Sequence, residues 1–103
     1  MSYKFVDREY SNYKSVSLRF KNVSDKKISA IRFAWYGVNA FNEPADMTTH
    51  QSGWGHGFTD DALRPGVIDS GIWDILSKDG KKLLITFPYE VAFEDGSIWK
   101  LEN

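Results

Sequence analysis

The sequence predicts an all-β protein in which two antiparallel sheets pack face to face. Val16, Leu18 and Phe20 alternate with Ser17, Arg19 and Lys21, and a period of two puts one face of a strand in a core and the other in water. Ile31, Phe33 and Trp35 repeat the alternation after the polar turn Asn22-Val23-Ser24-Asp25-Lys26, with Ile28 restarting the apolar phase. Turn chemistry recurs at Asn42, Pro65-Gly66 and Asp95-Gly96, dividing the chain into short segments. About seven such strands, with a buried tryptophan on the third, describe an immunoglobulin-like β-sandwich lacking the usual inter-sheet cysteine pair. Phe20, Phe33, Trp35 and Phe93 are large enough to span a core about 10 Å thick.

Taken in order, Tyr3-Lys4-Phe5-Val6 forms a short polar strand suited to a sheet edge, where exposed backbone groups need guarding. Asp7 to Asn12 link it to the central pair, which spans Val16 to Pro44. In the turn Asn39-Ala40-Phe41-Asn42-Glu43-Pro44, Asn42 is the residue that best tolerates positive φ. Ala45 to Arg64 is the least regular stretch. Its centre, Ser52-Gly53-Trp54-Gly55-His56-Gly57-Phe58, interleaves glycine with aromatic residues and reads at most as a weak strand inside a long loop. Pro65 presets φ for a tight turn in which Gly66 takes the positive-φ position.

Val67 to Leu76 admits two readings. Ile72, Ile75 and Leu76 fit a helical spacing, but the segment is short and Asp79-Gly80 is a hairpin signal, so a strand is expected. Lys82 to Phe87 is an apolar strand, Pro88 marks a bulge or a change of sheet, and Tyr89, Val91 and Phe93 continue on one face. Asp95-Gly96 reads as a two-residue hairpin turn leading into Ile98-Trp99-Lys100-Leu101.

The 103 residues suit a single domain, 1–103, able to bury roughly 60–70% of its unfolded surface without a metal or disulfide. A net charge of -1 with both signs dispersed offers no basic footprint for nucleic acid and no polybasic membrane patch. With no cysteine, disulfides and thiolate metal sites are excluded. Met1-Ser2-Tyr3-Lys4 leads straight into polar, foldable sequence, and no apolar stretch approaches the length of a membrane span. Compartment stays open between a cytoplasmic protein and a domain of a longer secreted chain.

Little of the sequence speaks for catalysis. His50 and His56, with Asp60 and Asp61 close behind, could ligate a divalent ion, but their spacing matches no established ligand motif and even catalytic zinc usually takes three protein ligands. Asp60-Asp61 and Glu94-Asp95 resemble the paired carboxylates of glycoside hydrolysis, yet Asp95 is explained by its turn and adjacent residues on a strand face opposite ways. No Ser-His-Asp, P-loop or dinucleotide fingerprint is present. The expectation is a protein without enzymatic activity or cofactor. Trp73 and Trp99 are expected to be partly buried. Trp54, between Gly53 and Gly55, is placed on the surface, and Trp54, His56 and Phe58 become the candidate ligand- or partner-binding residues.

Several stretches, in order, carry a resemblance: Phe20-Lys21-Asn22-Val23-Ser24, Ile31 to Tyr36, Asn39 to Pro44, Leu63-Arg64-Pro65-Gly66, and Val91 to Trp99. The chain resembles the bacterial FxLYD-type and related immunoglobulin-like domains, with Tyr36 matching the naming tyrosine and Gly37 standing where that motif has aspartate. The resemblance implies an accessory or protein-interaction module of the cell envelope, contacting a protein partner or a neighbouring domain, and brings no catalytic residues with it. A second expectation is a carbohydrate-binding module using Trp54 and neighbouring polar residues.

Overall fold

A computed structural model describes residues 2–8, 11–47, 53–75 and 77–101. Seven strands run in the order β1 (Ser2–Asp7), β2 (Lys14–Lys21), β3 (Ile28–Val38), β4 (Trp54–Thr59), β5 (Ile68–Asp74), β6 (Lys82–Phe93) and β7 (Ile98–Lys100), with no helix among the described residues. They form two sheets, β1-β2-β5 and β4-β3-β6-β7, in which every pairing is antiparallel.

The alternation on β2 and β3 builds the centre. Val16, Leu18 and Phe20 meet Ile31, Phe33 and Trp35 in one buried cluster that also takes in Ile28, Ala45, Met47, Leu63 and, from β6, Leu83 and Val91. Trp35 is fully buried. Phe33 packs against Phe20 at 5.0 Å between ring centroids, and Trp73 of β5 lies 5.7 Å from Phe33 and 6.0 Å from Trp35. Tilted and edge-on ring contacts fill the inter-sheet gap while avoiding face-to-face quadrupole repulsion.

The turns follow their local chemistry. β1 is an edge strand, as its polarity implies. Asn42 has φ 61°, and Asn39 organises that turn by accepting from the backbone N–H groups of Phe41 and Glu43. Gly66 has φ 80°. Asn22, expected as a simple turn residue, is instead buried. Its side-chain nitrogen donates to the carbonyls of Lys26 and Leu63, and its side-chain oxygen accepts from Ser24, tying the β2–β3 turn to the segment before β5. A buried amide with all these partners satisfied fastens the segments together without a desolvation penalty.

Several expectations need correction. Residues 54–59 are a full strand, paired with β3 from Ile31↔Thr59 to Tyr36↔Trp54, and not part of a loop. Asp79-Gly80 is not a hairpin turn, because β5 and β6 lie in different sheets and Gly80 lacks positive φ. The connection is instead anchored by Ser77, whose hydroxyl donates to Asp46 and accepts from the Gly80 N–H. Residues 68–74 are a strand, as expected, while Leu76 lies outside the described residues. β6 keeps to one sheet through Pro88, where a register shift leaves Tyr89 opposite no residue of β3. That extra residue turns Tyr89 outward, against His56, while Val91 stays in the core, so the two do not share a face. The β6–β7 turn is three residues long: Phe93 pairs with Ser97, and the Gly96 N–H returns to the Phe93 carbonyl with Gly96 at φ 90°. Trp99 is 43% exposed, because β7 is a three-residue edge strand paired only with β6.

Candidate functional site

The local logic of β4 lies in its glycines. A Cβ on Gly55 would collide with Trp35 Nε1, and one on Gly57 would stand 2.6 Å from Trp35 Cη2. Both glycines therefore face inward and let the Trp35 indole lie along the β4 backbone. The alternation of the strand then sends Trp54, His56 and Phe58 outward. Trp54 is 44% and Phe58 62% exposed, and His56 is exposed as well. The three residues singled out from the sequence thus share one face, that of a strand in a sheet.

Neighbouring strands extend this face. Tyr36 of β3, opposite Trp54, holds its ring 5.1 Å from the indole, and Phe87 of β6 meets Trp54 edge-on at 6.2 Å. Tyr89, turned outward by the bulge, meets His56 edge-on at 5.8 Å. Between them stands Ala34, paired with His56 on one side and Phe87 on the other. A small residue among rings makes a hollow. The resulting cleft, about 470 Å³, has Ala34 as its floor, Trp54, His56, Phe87 and Tyr89 as walls, and Glu90, Lys100 and the apolar Leu101 at its rim. Across His56 and Tyr89 lies a smaller hollow of about 200 Å³ that reaches Arg32 and Phe58.

The rim is charged but internally paired. Glu90 receives Arg32 at 2.8 Å on one oxygen and Lys100 at 3.9 Å on the other. These pairs present donors and an acceptor side by side at the sheet surface. Sequence reasoning missed Phe87, Tyr89, Glu90 and Lys100. Pro88 signalled the irregularity, but only the register shows which residue it turns outward.

The remaining candidates are not assembled into a site. His50 lies outside the described residues, and no group of three potential metal ligands occurs among those described. Asp60 and Asp61 are exposed beyond the end of β4. Glu94 pairs with Lys27, and Asp95 accepts from Ser97 and pairs with Lys26. The Ser97 hydroxyl first, then the Ser97 N–H and Lys26, hold the Asp95 carboxyl down at about 2. A second concavity, about 360 Å³ and almost wholly apolar, opens beside Phe20, Phe93 and Trp99 where β7 extends the larger sheet.

Comparison of the chain with protein-family models, with curated proteins and with solved structures returned no match.

Proposed function

We propose that the chain is an immunoglobulin-like, non-catalytic accessory module that recognises its ligand with the outer face of the four-stranded sheet. The observation that carries this reading is the group of aromatic side chains on the solvent side of that sheet: Trp54, Phe87, Tyr89 and His56 around the Ala34 hollow, with Tyr36 packed against Trp54. Aromatic residues in a concavity with a few polar groups are the usual make-up of a recognition surface.

The strand order supports the fold assignment. Lettered A to G along the chain, the sheets are A-B-E and D-C-F-G. The constant-type immunoglobulin arrangement, A-B-E-D and C-F-G, differs only in the sheet that takes the fourth strand. A buried tryptophan on the third strand, Trp35, agrees with it. The accessory role and the bacterial cell-envelope setting are carried by the sequence resemblance alone.

The test is Trp54→Ala, examined for stability and for binding to an array of immobilised peptides and glycans. Trp54→Ala removes two ring contacts, with Tyr36 and Phe87, and each such contact is worth up to about 1 kcal/mol, so a recognition role predicts a melt lowered only modestly with array binding abolished. A melt collapsing by several times that amount, or unaltered array binding, rejects the assignment.

A further inference from the structure

We propose that the Ala34 cleft binds a pyranose oligosaccharide, stacked on Trp54 and hydrogen-bonded at the rim by Glu90 and Lys100. The inference rests on the reading of this face as the recognition surface and names the ligand class. A pyranose ring is amphipathic: its axial C–H groups make an apolar face, and its hydroxyls project around the edge as combined donors and acceptors. The cleft has the complementary layout, with rings and the Ala34 methyl inside and charged groups confined to one side.

The volume of about 470 Å³ falls in the small-ligand range of roughly 300–1,000 Å³. At the rim, Glu90 supplies the acceptor and Lys100 a donor, while Arg32, paired with Glu90, lines the adjoining smaller hollow. Lys100, whose side chain is 70% exposed and 3.9 Å from Glu90, is held loosely enough to turn towards a ligand. Neighbouring donors and acceptors of this kind match a pair of vicinal hydroxyls. The platform is also preorganised. Trp54 is braced by Tyr36 and Phe87, and His56 by Tyr89, all on paired strands, so docking a sugar freezes few rotatable bonds.

Two features weigh against a peptide as the occupant. Peptide and protein anchors sit in deep, fully desolvated pockets, whereas here Ala34 closes the floor of an open hollow. Strand addition along β4 is also obstructed, because the Phe58 carbonyl already accepts from the Trp73 indole N–H.

The experiment is affinity electrophoresis of the intact domain in gels containing xylan, hydroxyethylcellulose, galactomannan or pullulan, followed by calorimetry with the matching tetrasaccharide. At least one polysaccharide is expected to retard the domain. Trp54→Ala and Glu90→Gln should each weaken tetrasaccharide binding about tenfold or more, equivalent to 1.4 kcal/mol, while Ile72→Ser on the opposite sheet leaves it unchanged. If none of the four polysaccharides retards the domain but Trp54-dependent peptide binding is seen on the array, the ligand class is wrong and the recognition face stands. Glycan binding that survives Trp54→Ala overturns the site itself, and absence of both kinds of binding overturns the two readings together.

Discussion

The indole N–H of Trp73 donates to the backbone carbonyl of Phe58 at 3.0 Å, joining β5 and β4, edge strands of different sheets. On the other side of the sandwich the Tyr3 hydroxyl donates to the Leu84 carbonyl at 3.2 Å, joining β1 to β6. At each seam between the sheets, an aromatic side chain of one sheet thus reaches a strand backbone of the other. Trp73→Phe keeps most of the ring and removes the donor. It should cost about 1 kcal/mol, the usual net worth of such a bond, together with a smaller packing loss. Chemical denaturation would read the change, and hydrogen exchange should quicken first at the edge of β4.

Trp35 and Gly57 should be energetically coupled. Trp35→Ala is expected to cost about 3–5 kcal/mol, as for an aromatic removed from a core. Gly57→Ala should cost about 1–3 kcal/mol by overpacking, because its Cβ would stand 2.6 Å from Trp35 Cη2. Phenylalanine lacks that outer ring, so Gly57→Ala should be milder in a Trp35→Phe background, where the remaining close contact is Trp73 Cδ1 at 3.0 Å. A double-mutant cycle with no interaction energy would show that the indole does not lie against Gly57.

Asn22→Ala should destabilise the domain by about 1–2 kcal/mol, since it removes a buried group that makes several hydrogen bonds, each worth roughly 0.5–1.5 kcal/mol net. The carbonyls of Lys26 and Leu63 each lose one of two donors, keeping the Ser24 hydroxyl and the Ile28 N–H, and the Ser24 N–H loses its acceptor. Thermal melts of Asn22→Ala beside Ser24→Ala would check it. The serine variant leaves both carbonyls served and should lose much less.

Gly96→Val should lower stability by about 1–2 kcal/mol, the penalty for holding a side chain in the left-handed region. Gly96 sits at φ 90° with nothing within 4 Å of its ideal Cβ, so the cost comes from the backbone and not from a clash. Gly96→Asn, which tolerates positive φ better, should recover much of the loss in the same melt.

The pH dependence centres on Asp46 and Asp79, which bridge the β3–β4 and β5–β6 connections. Partial burial disfavours the Asp46 carboxylate, but hydrogen bonds from Asp79, Ser77 and the N–H groups of Asp79 and Lys78 outweigh it and hold its pKa at about 2. Asp79 is raised above its ordinary value, chiefly by its hydrogen bond with Asp46 and then by burial. The two contributions have opposite signs. Asp46 stabilises above the ordinary carboxylate range, and that stability is lost as pH falls towards about 2. Asp79 stabilises at low pH, and its contribution is lost as pH rises through its elevated value. Asp79→Asn keeps an acceptor for the Asp46 N–H and removes the second charge. It should stabilise by roughly 0.5 kcal/mol at pH 7, given solvent screening at this partly exposed pair. The advantage over the parent should vanish below the ordinary carboxylate range. A variant equally stabilised at every pH would sink the account.

Local pattern alone settled the strands whose alternation was clean and the turns whose residues demand a special φ. Val16-Leu18-Phe20 and Ile31-Phe33-Trp35 became the buried pair, and Asn42, Gly66 and Gly96 took positive φ where turn chemistry placed them. Those features depend on a residue and its immediate neighbours, so a sequence carries them directly. Trp54, His56 and Phe58 were legible as recognition candidates for the same reason, through their spacing between glycines. What those glycines do was not legible, because Gly55 and Gly57 are answered by Trp35, a residue on the neighbouring strand. Only pairing along β6 turned Tyr89 outward beside His56, and only the sheet placed Phe87, Glu90 and Lys100 around Ala34. A single-residue shift in register reverses a side chain's face, and register is decided by which strands meet.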